Sequence, residues 1–119
     1  MSCLFNSLDF FIREGSFNIR QKICNYLQEN KPIIEGLDTN IILGFENNDS
    51  QKYIENMRSP SVWGGAIEIQ AACNIWNLKI IVKNYRDKNS IDIEFIPINL
   101  NIDKTIQIYW TGGHYEPLP

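Results

Sequence analysis

One histidine and three cysteines carry the nucleophilic and proton-transfer chemistry open to this chain near neutral pH. The cysteines stand at positions 3, 24 and 73, and His114 lies in the closing stretch WTGGHYEPLP, residues 110–119. Cysteines twenty or more residues apart and a lone histidine offer no close ligand pair of the CxxC or HxxxH kind, so no metal site is expected. An odd cysteine count without an export signal points to a reducing compartment rather than a disulfide framework. Cys24 shares a stripe with Ile23 and Leu27, and Cys73 lies beside Ala72 and four residues from Ile69. Both read as small core hydrophobes. Cys3 instead precedes the first apolar stripe, at the first turn of a predicted helix, where free N–H groups and the helix dipole favour an anion.

A helix terminus does not activate a thiol alone. A free cysteine, with a pKa of about 8.5, is only a few per cent thiolate at pH 7, and a helix end contributes roughly 0.3–1 kcal/mol, less than one pKa unit. Cysteine hydrolases obtain the remainder from an imidazolium, which steadies the thiolate and later protonates the leaving amine. His114 is the one candidate in the chain. Gly112 and Gly113 read as a tight turn after a strand ending at Trp110, with His114 opening a final strand. Residues i and i+2 of an extended chain share a face about 6–7 Å apart, so Glu116 is expected to meet Nδ1 of His114 while Tyr115 points away. Such a carboxylate would fix the imidazole tautomer and support its charged form. Pro117 suits the end or edge of the strand.

The elements that must position these groups follow from hydrophobic period. Leu4, Leu8, Phe11 and Ile12 predict a helix over 3–14 stopped by Gly15, and Ser16 is expected to cap a second helix carrying Ile19, Ile23, Cys24 and Leu27. Residues 32–48, with Gly36 and Gly44, read as a loop holding at most one helical turn. Asp49 or Ser50 is expected to cap a third helix through Met57, and a fourth follows Gly65 with Ile69, Ala72, Cys73 and Trp76 on one face. After Asn77 the period falls to two. Strands are expected at 78–83, 91–96 and 106–110, joined by a polar hairpin loop at 85–90 and a longer link at 97–104. Helices followed by a mostly antiparallel sheet make an α+β domain, a composition that suits twenty isoleucines.

Composition sets the class. A chain of 119 residues, 44% hydrophobic, is expected to form one domain that buries about two thirds of its unfolded surface. Net charge −3, with eleven Lys and Arg among fourteen acids, argues against nucleic acid as a partner. Apolar runs such as 78–82 fall far short of the roughly 18 residues that span a bilayer, and the start lacks a charged signal region, so no membrane segment and a cytoplasmic location are expected.

Three blocks together, SCLFNSL at 2–8, MRSPSVWGGAIEIQAAC at 57–73 and WTGGHYEPL at 110–118, resemble in order and separation the hallmarks of the OTU (ovarian tumour) family of cysteine proteases. The resemblance covers almost the whole chain. It implies a papain-like α+β fold, no cofactor, and hydrolysis of the isopeptide bond between the C-terminus of ubiquitin, free or in polyubiquitin, and a lysine. It places the nucleophile on Cys3, the general base on His114 and the third member on Glu116, where the family more often has Asp or Asn. The extra methylene of Glu116 predicts a longer, looser contact with the ring. The family's Asp-Gly-x-Cys run is replaced, with Met1 and Ser2 ahead of Cys3, which leaves open both a rival reading as a non-catalytic ubiquitin-binding module and a truncated start, with the question whether residues upstream of Met1 complete the loop. Trp63, Gly64 and Gly65 read either as walls of a groove for ubiquitin's Gly-Gly tail or, favoured by packing, as a sharp approach to the fourth helix with Trp63 anchoring the core. The abundance of Ile, Asn and Lys in so compact a chain is compatible with a large DNA virus or an intracellular parasite, with host cytoplasm as the place of action.

Overall fold

The computed structural model of the chain describes residues 2–45, 49–86 and 91–119. Along it run α1 (Cys3–Ile12), α2 (Ser16–Gln28), β1 (Pro32–Ile34), β2 (Leu37–Asp38), α3 (Thr39–Phe45), α4 (Ser50–Met57), α5 (Ala66–Trp76), β3 (Leu78–Asn84), β4 (Ile93–Phe95), β5 (Lys104–Trp110) and β6 (Tyr115–Pro117). This is the expected α+β order, helices first and sheet last. The expected loop at 85–90 has residues 87–90 outside the described set, as are 46–48 of the expected 32–48 loop.

The principal sheet has the order β4-β3-β5-β6. Its outer pairings, β3 with β4 and β5 with β6, are antiparallel, and the long central pairing of β3 with β5 is parallel, in register from Leu78 opposite Lys104 to Asn84 opposite Trp110. A parallel pair requires a crossover. Here β4 and the 96–103 link supply it, with Leu100 in the left-handed region at φ 59° and Asp103 N donating to Asn77 O at 2.8 Å. Alternate residues Leu78, Ile80 and Val82 of β3 and Ile106 and Ile108 of β5 face the core, where Ile69, Ala72 and Cys73 of α5 cover them.

Two local expectations need correcting. Residues 32–45 are not a loop. β1 and β2 pair as a short antiparallel hairpin, and α3 follows for seven residues. Asp38 starts that helix by accepting from Ile41 N at 3.0 Å, while Thr39 Oγ1 donates to Lys31 O at 2.8 Å. This is an N-cap signature that the glycines at 36 and 44 obscured. Ser16 is not a cap either. Gly15 holds that place, its carbonyl accepting from Ile19 N and its own N–H donating to Asp9 Oδ1 at 2.8 Å. The expected cap of the third helix is Asp49, which accepts from Lys52 N at 3.2 Å.

The placement of α1 matters most for function. It packs against α2 on one side and β6 on the other, with Leu4, Phe5 and Leu8 fully buried. Gly64 allows the approach to α5 to press on it, since a Cβ there would lie 2.7 Å from Leu4 Cδ2 and 3.0 Å from the Phe5 ring. Arg20 of α2, only 1% exposed, ties the same end to α4. Its guanidinium stacks 4.0 Å over Phe5 and donates to Met57 O at 2.8 Å and Ser2 Oγ at 3.3 Å. Backbone carbonyl and hydroxyl partners with an aromatic face satisfy a buried cation that would otherwise be costly. Gly64→Ala is expected to lower unfolding free energy by about 1–3 kcal/mol in urea titration, as overpacking does. Gly44→Ala, in helix α3 with open space at the Cβ position, is expected to raise it by about 0.5–1 kcal/mol. Equal effects from the two would contradict the close approach at Gly64.

Candidate active site

Cys3 is the first residue of α1, half-buried, with its carbonyl accepting from Ser7 Oγ at 2.8 Å. The N–H groups of the opening turn project from the same end. Across from it, β5 and β6 form a hairpin whose two-residue turn is Gly112 and Gly113, closed by Thr111 N donating to His114 O at 3.1 Å. Gly112 has φ +104°, a conformation L side chains rarely adopt, and the methylenes of Arg86 lie across it. Arg86 also stands 5.7 Å over the Trp110 ring. His114 therefore hangs from a hairpin tip braced by the Arg86 side chain.

Because α1 packs on β6, Cys3 and His114 line one cleft of about 420 Å³, together with Glu116 and Pro117. His114 and Glu116 meet across one residue, as expected, although the strand opens at Tyr115 and not at His114, and Tyr115 stacks on Trp110 at 6.5 Å between centroids. Burial raises the Tyr115 phenol above its ordinary value, with Cys3 close enough to add to the effect.

The contact between His114 and Glu116 differs from expectation in two respects. Glu116 Oε1 meets Nε2, not Nδ1, and the separation is a short 2.5 Å. The added methylene of glutamate gives the reach needed for the distal ring nitrogen, so it tightens the pair instead of loosening it. With Nε2 engaged, Nδ1 is the nitrogen left to face a sulfur. Both side chains are about half exposed, at 51% and 45%, so the contact adds little to folding stability, and its effect is orientation of the ring.

Trp63, Gly64 and Gly65 border a second cleft of about 310 Å³ that shares none of its lining with the first. Trp63 is 53% exposed, which corrects the expectation that it anchors the core. Its ring reaches the β5–β6 hairpin, with Cη2 3.9 Å from where a Cβ on Gly113 would stand. Gly65 donates its N–H to Glu68 Oε1 at 2.7 Å, and Tyr53 OH donates to Oε2 at 2.8 Å. Burial raises the Glu68 carboxyl above the usual carboxylate range, and these hydrogen bonds oppose the shift. Among the described residues, no cluster of three His, Cys, Asp or Glu is arranged to hold a metal.

Cys24 and Cys73 are fully buried, as expected, and burial pushes their thiols up to about 11 and about 12 respectively. Sequence reasoning passed over Arg20. The available signal was its place four residues before Cys24, a cation on the face that Ile23, Cys24 and Leu27 turn to the core.

Comparison with known proteins identifies the family and the fold. The sequence pattern described as "OTU-like cysteine protease" matches residues 2–115. The chain belongs to the OTU family of cysteine proteases. It is 28% identical to mouse ubiquitin thioesterase OTU1 over 98% of its own length and 33% of that protein's, and 26% identical to the mouse UDP-N-acetylglucosamine transferase subunit ALG13 over 97% and 9%. It thus spans about a third or less of the length of these curated relatives. An ovarian tumour domain solved in complex with ubiquitin superimposes with a TM-score of 0.77 at 19% identity, covering 98% of this chain and 62% of that one. The fold is that of an OTU domain.

Iodoacetamide applied to the native protein is expected to modify Cys3 alone, giving a single adduct by intact mass. Cys24 and Cys73 should react only after unfolding. Rapid native modification of either buried thiol would contradict the environments described.

Proposed function

We propose that the chain is the catalytic domain of a deubiquitinase, which hydrolyses the isopeptide bond between the C-terminus of ubiquitin and a substrate lysine. The observation that carries this reading is the gathering of Cys3, His114 and Glu116 at one cleft, from opposite ends of the chain. Membership of the OTU family and the likeness to a domain solved with ubiquitin support the substrate.

The thiolate of Cys3 attacks the isopeptide carbonyl carbon and pushes its electron pair onto the oxygen, near the N–H groups of the first turn of α1. Collapse breaks the C–N bond as the imidazolium of His114 gives its proton to the departing lysine amine, leaving a thioester. Water then adds to the thioester, losing a proton to His114, and the thiolate leaves as the carboxylate of ubiquitin is released. Glu116 holds the ring through Nε2 so that Nδ1 serves both transfers. Trp63 and Gly65 border the approach on the ubiquitin side. No cofactor enters these steps, and a reducing cytoplasm would keep the nucleophile free.

Ubiquitin bearing a thiol-reactive group at its C-terminus is expected to form a covalent adduct with the protein, and Cys3→Ala is expected to abolish it. Reversible binding without adduct in the wild type would identify a non-catalytic ubiquitin-binding module instead. Glu116→Ala is expected to lower kcat/KM on a fluorogenic ubiquitin substrate about 10- to 100-fold, the range for losing a hydrogen bond to a charged group worth roughly 1.5–3 kcal/mol. The fall should lie mainly in kcat, because ring orientation matters in proton transfer.

A further inference from the structure

The cleft that holds Cys3 and His114 continues along the outer face of α1, past the point where the sulfur would meet a carbonyl. There it is walled by Phe10 on the helix and Pro117 on the strand, with Asp9 and Glu116 as its carboxylates. Phe10 is 49% exposed although it belongs to a helix whose other aromatic residues pack inward. Its ring is set edge-on against Phe11, with centroids 5.0 Å apart and planes at 78°. Asp9 is held by its own bond from Gly15 N at 2.8 Å. An exposed aromatic ring set against its neighbour, in the same cleft as the reacting groups, is a preformed contact surface.

The chemistry assigns an occupant to it. The amine that leaves must lie within reach of His114, the proton donor, so the lysine arrives on the side of the cleft that His114 lines. The acyl side of the bond then runs toward the separate cleft at Trp63 and Gly65. The cleft that His114 lines has two carboxylates, Asp9 on α1 and Glu116 on β6, and no lysine or arginine in its lining among the described residues. Resting on the deubiquitinase reading above, we propose that Phe10 and Asp9 form the leaving-group subsite. The lysine methylenes of the ubiquitin-bearing substrate pack between Phe10 and Pro117, and Asp9 favours a substrate whose modified lysine has a basic neighbour. Two charge partners near the surface act on encounter and selectivity more than on the chemical step. An aromatic wall against an alkyl stem gives contact in both the bound and the reacting state, so its loss should appear in KM.

The test compares two measurements that differ only in the leaving group. One is capture by the thiol-reactive ubiquitin probe, in which no lysine is present. The other is hydrolysis of ubiquitin joined by an isopeptide bond to lysine peptides with either an arginine or a glutamate beside the lysine. For Phe10→Ala, the ratio of isopeptide hydrolysis to probe capture is expected to fall about tenfold, mainly through KM, the scale of losing one well-placed aromatic contact. The wild type is expected to favour the arginine peptide about three- to tenfold, and Asp9→Asn, which retains an acceptor for Gly15 N, should erase that preference. Thermal unfolding midpoints near wild type for both variants would separate loss of contact from loss of fold. Hydrolysis and capture falling in proportion, or a wild type indifferent to the flanking charge, would overturn the subsite. Wild-type protein that the probe fails to capture would remove the deubiquitinase reading, and the subsite with it.

Discussion

The packing of α1 between α2 and β6 is the constraint on which the rest of the molecule depends. Position 3 and position 114 are separated by nearly the whole chain, and the sequence between them supplies the scaffold that closes the gap. Leu4, Phe5 and Leu8 seat the helix, Gly64 lets the approach to α5 press against it, and the Arg20 guanidinium joins Phe5, Ser2 and Met57 at its amino end. Each of these contacts is ordinary core chemistry. Together they leave Cys3 no freedom to turn with its helix, and preorganisation of this kind is the main contribution a fold makes to acyl transfer.

The other half of the site is built by a different device. His114 stands exposed just before β6, at the edge of the sheet, where burial cannot hold it. A two-glycine turn, the Arg86 side chain over Gly112, the stacking of Tyr115 on Trp110 and the carboxylate of Glu116 hold it instead. The sulfur of Cys3 is thus placed by core packing and the ring of His114 by a hairpin and a hydrogen bond. Damage to the first should appear as lost stability, and damage to the second as lost turnover.

Much of this was legible because the signals were local. Apolar period marked α1, α2, α5 and the strands β3, β4 and β5, and the Gly-Gly pair and i, i+2 spacing marked the hairpin that brings His114 to Glu116. The missed features depend on partners distant in sequence. The parallel pairing of β3 with β5 follows from a crossover that periodicity does not encode, and the exposure of Trp63 follows from how the hairpin tip comes to rest beside it. The bond through Nε2 turns on ring orientation, which strand spacing leaves open. The short helix α3 was a different kind of miss, since Asp38, Thr39 and Ile41 carried a readable cap that two glycines outweighed.

The meeting of sulfur and imidazole can be measured without any substrate. A small reagent with two alkylating carbons flanking one carbonyl bridges only groups that nearly touch, and the single histidine leaves no ambiguity in reading the product. Peptide mass spectrometry of the treated native protein should find Cys3 and His114 joined in one cross-linked species, absent when the protein is unfolded before treatment. Cys3 alkylated at one end only, with the peptide carrying His114 recovered free, would contradict the account at its centre.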